Sequence, residues 1–278
     1  MHTKQTLCHW FETEYQPALI ETGIKHGRNI HNMDEKGAWV CMPAGEEIVV
    51  PMGIKEIYIG ILENRLSVTI VERISADGKA IPPVIIVSSV MIMASWFHTN
   101  MTGQELIIVS ESGYTNEGIC MAWLDHFIMH NSCGADSKWN FFLIDGATCH
   151  EAPNFLIKAK MNKIWLVKFP SYQTHLLQSC NVGCFRQWKR YHQHVKVMDA
   201  IRSFQPEYNL CSFLRDLPEI REKTFTVRTI KHSFQNAGIW PVRFKAVKRK
   251  LKKYGKKNKD TGLDFLEYDS SSNSEEEL

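Results

Sequence analysis

Three polar residues stand where apolar runs end or a helix begins. Asp34 follows the run Arg28 to Met33 in NMDEKG, Asp145 closes the strand Asn140 to Asp145 in FFLIDGATCH, and Asn181 opens a helical stretch in THLLQSCNVGCF. Oxygen-bearing side chains at neighbouring strand ends and on one facing helix let a rigid scaffold converge ligand atoms on metal ions. On residue type alone a blander role is open to each. A strand-end Asp forms turns or caps helices, and Asn181 would cap the helix it begins. Glu35 follows Asp34 on the same strand, projects to the opposite face, and is not counted as a ligand.

The elements that must position these residues are legible as periodicity. The first twenty-odd residues read as helix, with Trp10, Phe11, Tyr15, Leu19 and Ile20 at helical spacing. Arg28 to Met33 reads as a strand running into Asp34 and Glu35 and ended by Gly37. Glu56 to Leu62 and Leu66 to Ile74 are β-rich runs split by Glu63, Asn64 and Arg65, a hairpin signature, and Pro83 to Val87 is a further strand. The period then changes. Thr115 or Asn116 is placed to cap a helix carrying Ile119, Trp123 and Phe127. Pro153 to Met161 reads as a short helix with Pro153 in its first turn. Ile164 to Phe169 is a strand stopped by Pro170. From about Asn181 to Ala200 a helix sets Phe185, Trp188, His192 and Val195 on one side and Arg186, Lys189 and Arg190 on another. Strands first, then alternating helix and strand, point to an α/β sandwich with a mixed sheet, antiparallel early and parallel later.

Composition narrows the function classes. The 278 residues are 44% hydrophobic and 23% charged, an ordinary globular balance, and the net charge of +3 says little. Its distribution says more. Arg243 to Lys259 holds ten Lys or Arg, including Lys248, Arg249, Lys250, Lys252 and Lys253, and no acid, whereas Asp260 to Leu278 holds acids and no Lys or Arg. The basic block suits nucleic acid or nuclear import, or simply a solvated tail, and the acidic serine-rich end is expected to be disordered. Eight cysteines with no signal peptide fit a reducing compartment. Cys180 and Cys184 with His192 and His194 are too spread along one helix for a tetrahedral zinc site. The uncharged stretch between Lys79 and His98 meets the length of a membrane span. Pro82, Pro83 and its serines argue instead for a buried strand at Val84 to Val87.

Six segments, in order from about Arg28 to Phe244, resemble the pogo-like, mariner-type branch of the DDE superfamily of transposase-derived endonucleases. NMDEKGAW is similar to the family's NMDETGF, ISADGKAIPPVIIV to ISADGKALPPLVIF, and GYTNEGICMAWLDHF to GWTNNEIGLEWLKHF. FLIDGATCH is similar to LLLDGHGSH, FPSYQTHLLQSCNVGCF to LPPHTTHLLQPLDVGVF, and FQNAGIWPVRF to FRKTGIWPFNP. Six collinear segments are far more specific than one short motif. The resemblance implies an RNase H-like mixed sheet flanked by helices. It implies an acidic triad holding two Mg2+ (or Mn2+) ions that activate a nucleophile and stabilise the leaving oxygen. Residue by residue, Asp34 takes the first ligand position, Asp145 the second and Asn181 the third.

The departures matter. The family's Pro-Leu-Asp becomes Ser179, Cys180 and Asn181, so the third ligand keeps an oxygen and loses its charge. The stretch after Val87 also lacks the family's Lys-rich segment. The segment before residue 28 leaves no room for the family's helix-turn-helix modules, so site recognition is expected to be missing. The expected organisation is a helical lead-in over 1–27, the RNase H-like domain over 28–242, and a basic then acidic tail over 243–278. The leading reading is a nuclear DNA-binding domain with weak or lost nuclease activity, contacting phosphates through Arg186, Lys189, Arg190 and the basic block without sequence preference. An active Mg2+-dependent endonuclease or strand transferase, and an interaction scaffold without DNA binding, are the alternatives. No membrane partner is expected, and a homodimer is a candidate assembly.

Overall fold

Ile30, Ala38 and Val40 on one face and Met33 on the other bury the longest strand, β1 (Ile30–Val40), on both sides, and the sheet grows outward from it. The computed structural model describes residues 2–40, 66–97, 100–131, 133–203, 208–245, 247 and 251. The other strands are β2 (Leu66–Ser75), β3 (Lys79–Ala80), β4 (Val84–Ser88), β5 (Leu106–Ser110), β6 (Asn140–Ile144) and β7 (Ile164–Lys168). Their order is β5-β4-β2-β1-β6-β7, with β3 pairing β2 alone. The pairs β1–β2 and β2–β4 are antiparallel, whereas β4–β5, β1–β6 and β6–β7 are parallel. A first strand at the centre, antiparallel to the second and parallel to later ones, is the RNase H-like arrangement expected from the sequence.

Helices cover both faces. One face packs Met33, Val71, Ile86 and Phe142 against α3 (Glu117–Asn131) and α4 (Pro153–Met161), through Ile119, Trp123, Phe127 and Phe155. The other packs Val68, Ile70, Ile85 and Val87 against α6 (Phe185–Ser203) and α7 (Leu210–Thr224). Beside that layer, Ile30, Phe141 and Leu143 meet the N-terminal helices α1 (His2–Trp10) and α2 (Gln16–Thr22), the short α5 (Thr174–Leu177) and α8 (Val227–Ala237). Each large apolar side chain so buried contributes about 1.5–3 kcal/mol. A buried ion pair fixes α7 on the sheet. Glu72 of β2 is fully buried, and both its oxygens accept from Arg221, at 2.8 and 3.0 Å. Arg221 also donates to the Ile81 carbonyl at 2.6 Å. Breaking such a pair from one side typically costs about 3–5 kcal/mol, because a charge is left buried alone.

Several expectations need correction. β1 does not stop at Gly37: it pairs with Thr69, and the buried alternation resumes at Ala38 and Val40. The ladder with β2 outweighs the roughly 0.5–1 kcal/mol penalty of a strand glycine, so Asp34 lies within the strand and not at its end. Ile20 is 81% exposed although Trp10, Phe11, Tyr15 and Leu19 are buried. A π-helical turn over Phe11–Tyr15 shifts the phase between α1 and α2. Asn116, not Thr115, caps α3, its Oδ1 accepting from Ile119 N at 3.0 Å. The expected strand Glu56 to Leu62, the basic residues Lys248, Arg249, Lys250, Lys252 and Lys253, and the tail over 260–278 lie outside the described residues. Among those described, no helix is long and apolar enough to cross a membrane, and Val84 to Val87 lies in β4.

As expected, α6 buries Phe185, Trp188, His192 and Val195. His192 lies against Trp188, Phe213 and Tyr208, with Nε2 buried and lacking a hydrogen bond among the described residues. Burial, helped by the Lys196 charge, lowers its pKa to about 3. Above an unfolded-state pKa of about 6.5, His192 is neutral in both states and contributes no pH dependence. Below that value the unfolded chain takes up a proton that the native state refuses, so stability falls as pH falls. The expected differential loss between neutral pH and about pH 5 is on the order of 1–2 kcal/mol. Urea unfolding of the wild type and His192→Phe at both pH values measures it, and equal pH dependence in the two proteins would refute it.

Candidate metal centre

The parallel register of β1 and β6 sets the two acids side by side. Asn32 pairs with Leu143 at the last rung, and Asp34 and Asp145 stand two residues beyond it on their respective segments. They therefore share a level and a sheet face with Asn32. Asp34 is 9% exposed; its Oδ1 accepts from the Glu35 N–H at 2.9 Å, and its Oδ2 is buried without a partner among the described residues. Burial, and then the neighbouring charge of Asp145, push the Asp34 carboxyl well above its ordinary range. Asp145 is more open. Burial would raise its pKa as well, but the hydrogen bonds from His150 (2.9 Å) and the Ala147 N–H (3.2 Å), both to Oδ1, hold it below the usual value.

Asn181 reaches the same face by tethering. After α5 the chain makes a π-helical turn over Cys180–Cys184, a distortion frequent at functional sites. The Cys180 N–H donates to Asn32 Oδ1 at 2.9 Å, while Asn32 Nδ2 donates to the Leu143 carbonyl at 3.1 Å. Gln178 Nε2 reaches the Met33 carbonyl at 3.2 Å, and its Oε1 accepts from Asn181 Nδ2 at 3.3 Å. The Asn181 amide nitrogen is thus engaged, and the residue itself is exposed. Gly183 permits this turn to lie on α8, since a Cβ there would collide with Ser233.

The donor set suits a hard cation. Mg2+ and Mn2+ prefer carboxylate and amide oxygens. A buried carboxylate oxygen without a partner, beside a second carboxylate, is costly unless positive charge stands between them.

Three residues near the acids escaped the sequence reading. Lys36 lies two positions past Asp34, hence on its face; burial and the Lys189 charge lower its pKa, while Asp34 opposes them. Strand alternation alone could have found it. His150 binds Asp145, and burial disfavours its charge, but Asp145 and Cys149 outweigh burial and raise its pKa to about 9. Cys149 is drawn down to about 5 by its hydrogen bond to Cys120, against burial, with help from His150. Glu35 does project to the opposite face, where its carboxylate accepts from the Thr115 hydroxyl. Arg186, Lys189 and Arg190 are exposed on α6. Cys184 contacts Ser233 at 3.3 Å, and both Cys180 and Cys184 are fully buried.

A family model described as DDE superfamily endonuclease matches residues 63–234. A curated relative, the MFS-type transporter clz9 of Cochliobolus lunatus, is 29% identical over 193 residues, covering 68% of this chain and 20% of that protein. The chain therefore spans about a fifth of the length of that relative. Among solved structures, the Mos1 mariner paired end complex with Mn is 13% identical, with 79% of this chain and 59% of that chain covered and a TM-score of 0.44. The Mos1 transposase catalytic domain with Raltegravir and Mg is 10% identical, with 87% and 92% covered and a TM-score of 0.43.

The like-charge pair has a consequence for stability. Asp34→Asn removes one of two repelling carboxylates while keeping an oxygen that accepts from Glu35 N–H. The variant should melt above the wild type in metal-free buffer, by about 2–4 °C for each kcal/mol recovered. Calorimetry in chelator measures this, and a lower melting temperature would show that the Asp34 charge stabilises the fold.

Proposed function

This chain belongs to the DDE superfamily of endonucleases, and from that premise we propose that it is a transposase-derived, pogo-like DNA-binding domain. Its metal-assisted strand-cutting site is weakened at one of three ligand positions. What supports the reading is the buried Asp34 carboxylate with the charge of the half-exposed Asp145 beside it, and the docking on Asn32 and Met33 of the segment that carries the uncharged Asn181. Asp34, Asp145 and the Asn181 oxygen would hold the ions. When bound, Mg2+ or Mn2+ would supply Lewis-acid stabilisation of the phosphate and of the attacking and leaving oxygens.

The chain's own groups have separable roles. The Asp145 Oδ1 is held by His150 and Ala147, which leaves Oδ2 to face a ligand. Asp34 contributes Oδ2, since Oδ1 accepts from the backbone. Asn181 contributes an oxygen with no charge. Two divalent ions carry four positive charges, and two carboxylates return only two negative ones. A third carboxylate would add attraction on the order of several kcal/mol at protein-like dielectric, before desolvation is subtracted. Lys36 and the exposed Arg186, Lys189 and Arg190 supply the positive rim that a phosphate backbone needs.

Restoring the third charge tests the site. Asn181→Asp should raise Mg2+-dependent nicking of duplex DNA at least about tenfold, a barrier change of ~1.4 kcal/mol. Asp34→Ala or Asp145→Ala in that background should abolish the gain. Wild-type cleavage as fast as that of Asn181→Asp would sink the weakened-site reading.

The rim is tested by salt. Duplex DNA binding should weaken linearly in log salt, with a slope of about −0.9 per phosphate contacted. A triple change of Arg186, Lys189 and Arg190 to Gln should flatten that slope across unrelated sequences. Unchanged affinity and slope in fluorescence anisotropy would remove α6 from the interface.

A further inference from the structure

On the opposite side of β1 from Asp34, two cysteines and a histidine meet for which the nuclease reading has no use. Cys120 is buried on α3, and Cys149 and His150 lie on the 3-10 turn after β6. One ligand atom from each lies within 4.8 Å of the other two. The neighbourhood is lined by Met33, Glu35, Thr115 and Trp123. In the family segments quoted above, the positions of Cys120 and Cys149 hold Gly and Ser, so both sulfurs are departures that the fold brings together. We propose that Cys120, Cys149 and His150 form a binding site for a thiophilic divalent cation, Zn2+ in the first place.

Two independent features support a ligand here. The first is the donor set: on binding, the two thiols and the imidazolium would release their protons to solvent, leaving two thiolates and a neutral imidazole that balance the charge of Zn2+, and soft sulfur selects Zn2+ over Mg2+. Zinc sits about 2.3 Å from sulfur and 2.0–2.1 Å from nitrogen, so tetrahedral donors stand roughly 3.5–3.8 Å apart. The three groups here need to close by only about 1 Å to reach that geometry. The second is the state of His150. Its Nδ1 is held by Asp145 Oδ1 at 2.9 Å, and its Nε2 is buried without a hydrogen bond among the described residues. A carboxylate that orients one imidazole nitrogen while the other faces a metal is the usual support of a zinc-binding histidine. Asp145 would then serve two ions at once, orienting His150 through Oδ1 and offering Oδ2 to the oxygen-ligated site. The Glu35 carboxylate, bonded to Thr115, lies on the same side and is close enough to act on Cys120.

The site stands independently of nuclease activity, and so does its test. The reduced full chain, stripped with chelator, is titrated with Co2+ and then with Zn2+. A tetrahedral ligand field and a thiolate-to-Co2+ charge-transfer band should grow to one ion per chain, and Zn2+ should bleach both. Cys149→Ser, nearly isosteric, and His150→Gln should each weaken Zn2+ binding more than about 100-fold, and Asp145→Asn by about 10–100-fold. Cys211→Ser, remote on α7, should leave it unchanged; circular dichroism confirms that each variant is folded. Absence of the charge-transfer band in the wild type, with its thiols shown free by a chromogenic reagent, overturns the proposal. So does a band that survives Cys149→Ser, or a Cys120–Cys149 disulfide whose reduction yields no Co2+ site.

Discussion

One buried side-chain amide holds the centre of this molecule together. Asn32 is fully buried on β1, donates to the Leu143 carbonyl of β6, and accepts from the Cys180 N–H at the π-helical turn. The amide does both at once, with its nitrogen donating and its oxygen accepting. An aspartate would have no proton for Leu143, and a leucine would strand a buried donor and a buried acceptor, each costing about 1–3 kcal/mol. Three segments far apart in the chain thus meet at one residue. The acids on β1 and beyond β6, and the amide of Asn181 just past Cys180, inherit their proximity from that junction.

Around this junction, charge is distributed by burial. Asp34 is enclosed and repelled by Asp145, whereas Asp145 is relieved by His150. Burial, and then the neighbouring charge of Lys189, disfavour the charge of Lys36 on the same face. An enclosed Asp34 carboxylate facing the charge of Asp145 is poorly matched to folding alone, because it would be better hydrated in the unfolded chain. Positive charge placed between the two acids would relieve that cost. At Asn181 an uncharged amide is compatible with the scaffold, since its nitrogen bonds Gln178.

The two faces of the sheet hold two different clusters. Asp34 stands on one, and Cys120, Cys149 and His150 gather on the other beside Glu35. Strand alternation keeps them apart, and the Asp145–His150 hydrogen bond joins them at the end of β6. Any ion on the sulfur side would act on the oxygen side through the orientation of one carboxylate, a route far shorter than any passing through the core.

The sequence by itself determined the strand that carries Asp34, the apolar stripe of α6 and the antiparallel-then-parallel order of the sheet. These are local signals, carried by side-chain periodicity and by short segments whose residue types are dictated by backbone geometry. It misplaced the end of β1 and the phase of Ile20, because a ladder with β2 and a π-helical turn overrode a glycine and a helical period. It also missed β5, α7 and α8: α7 contains Pro218, which argues locally against a helix, yet its apolar face is buried against the sheet. Tertiary structure alone decided that Asp34 and Asp145 share a level, that Cys180 docks on Asn32, that Lys36 meets Lys189, and that Cys120 meets Cys149 and His150. Each is a contact between segments distant in sequence. Which distant segments meet is set by how sheet faces and helix stripes bury together, and no local pattern encodes that.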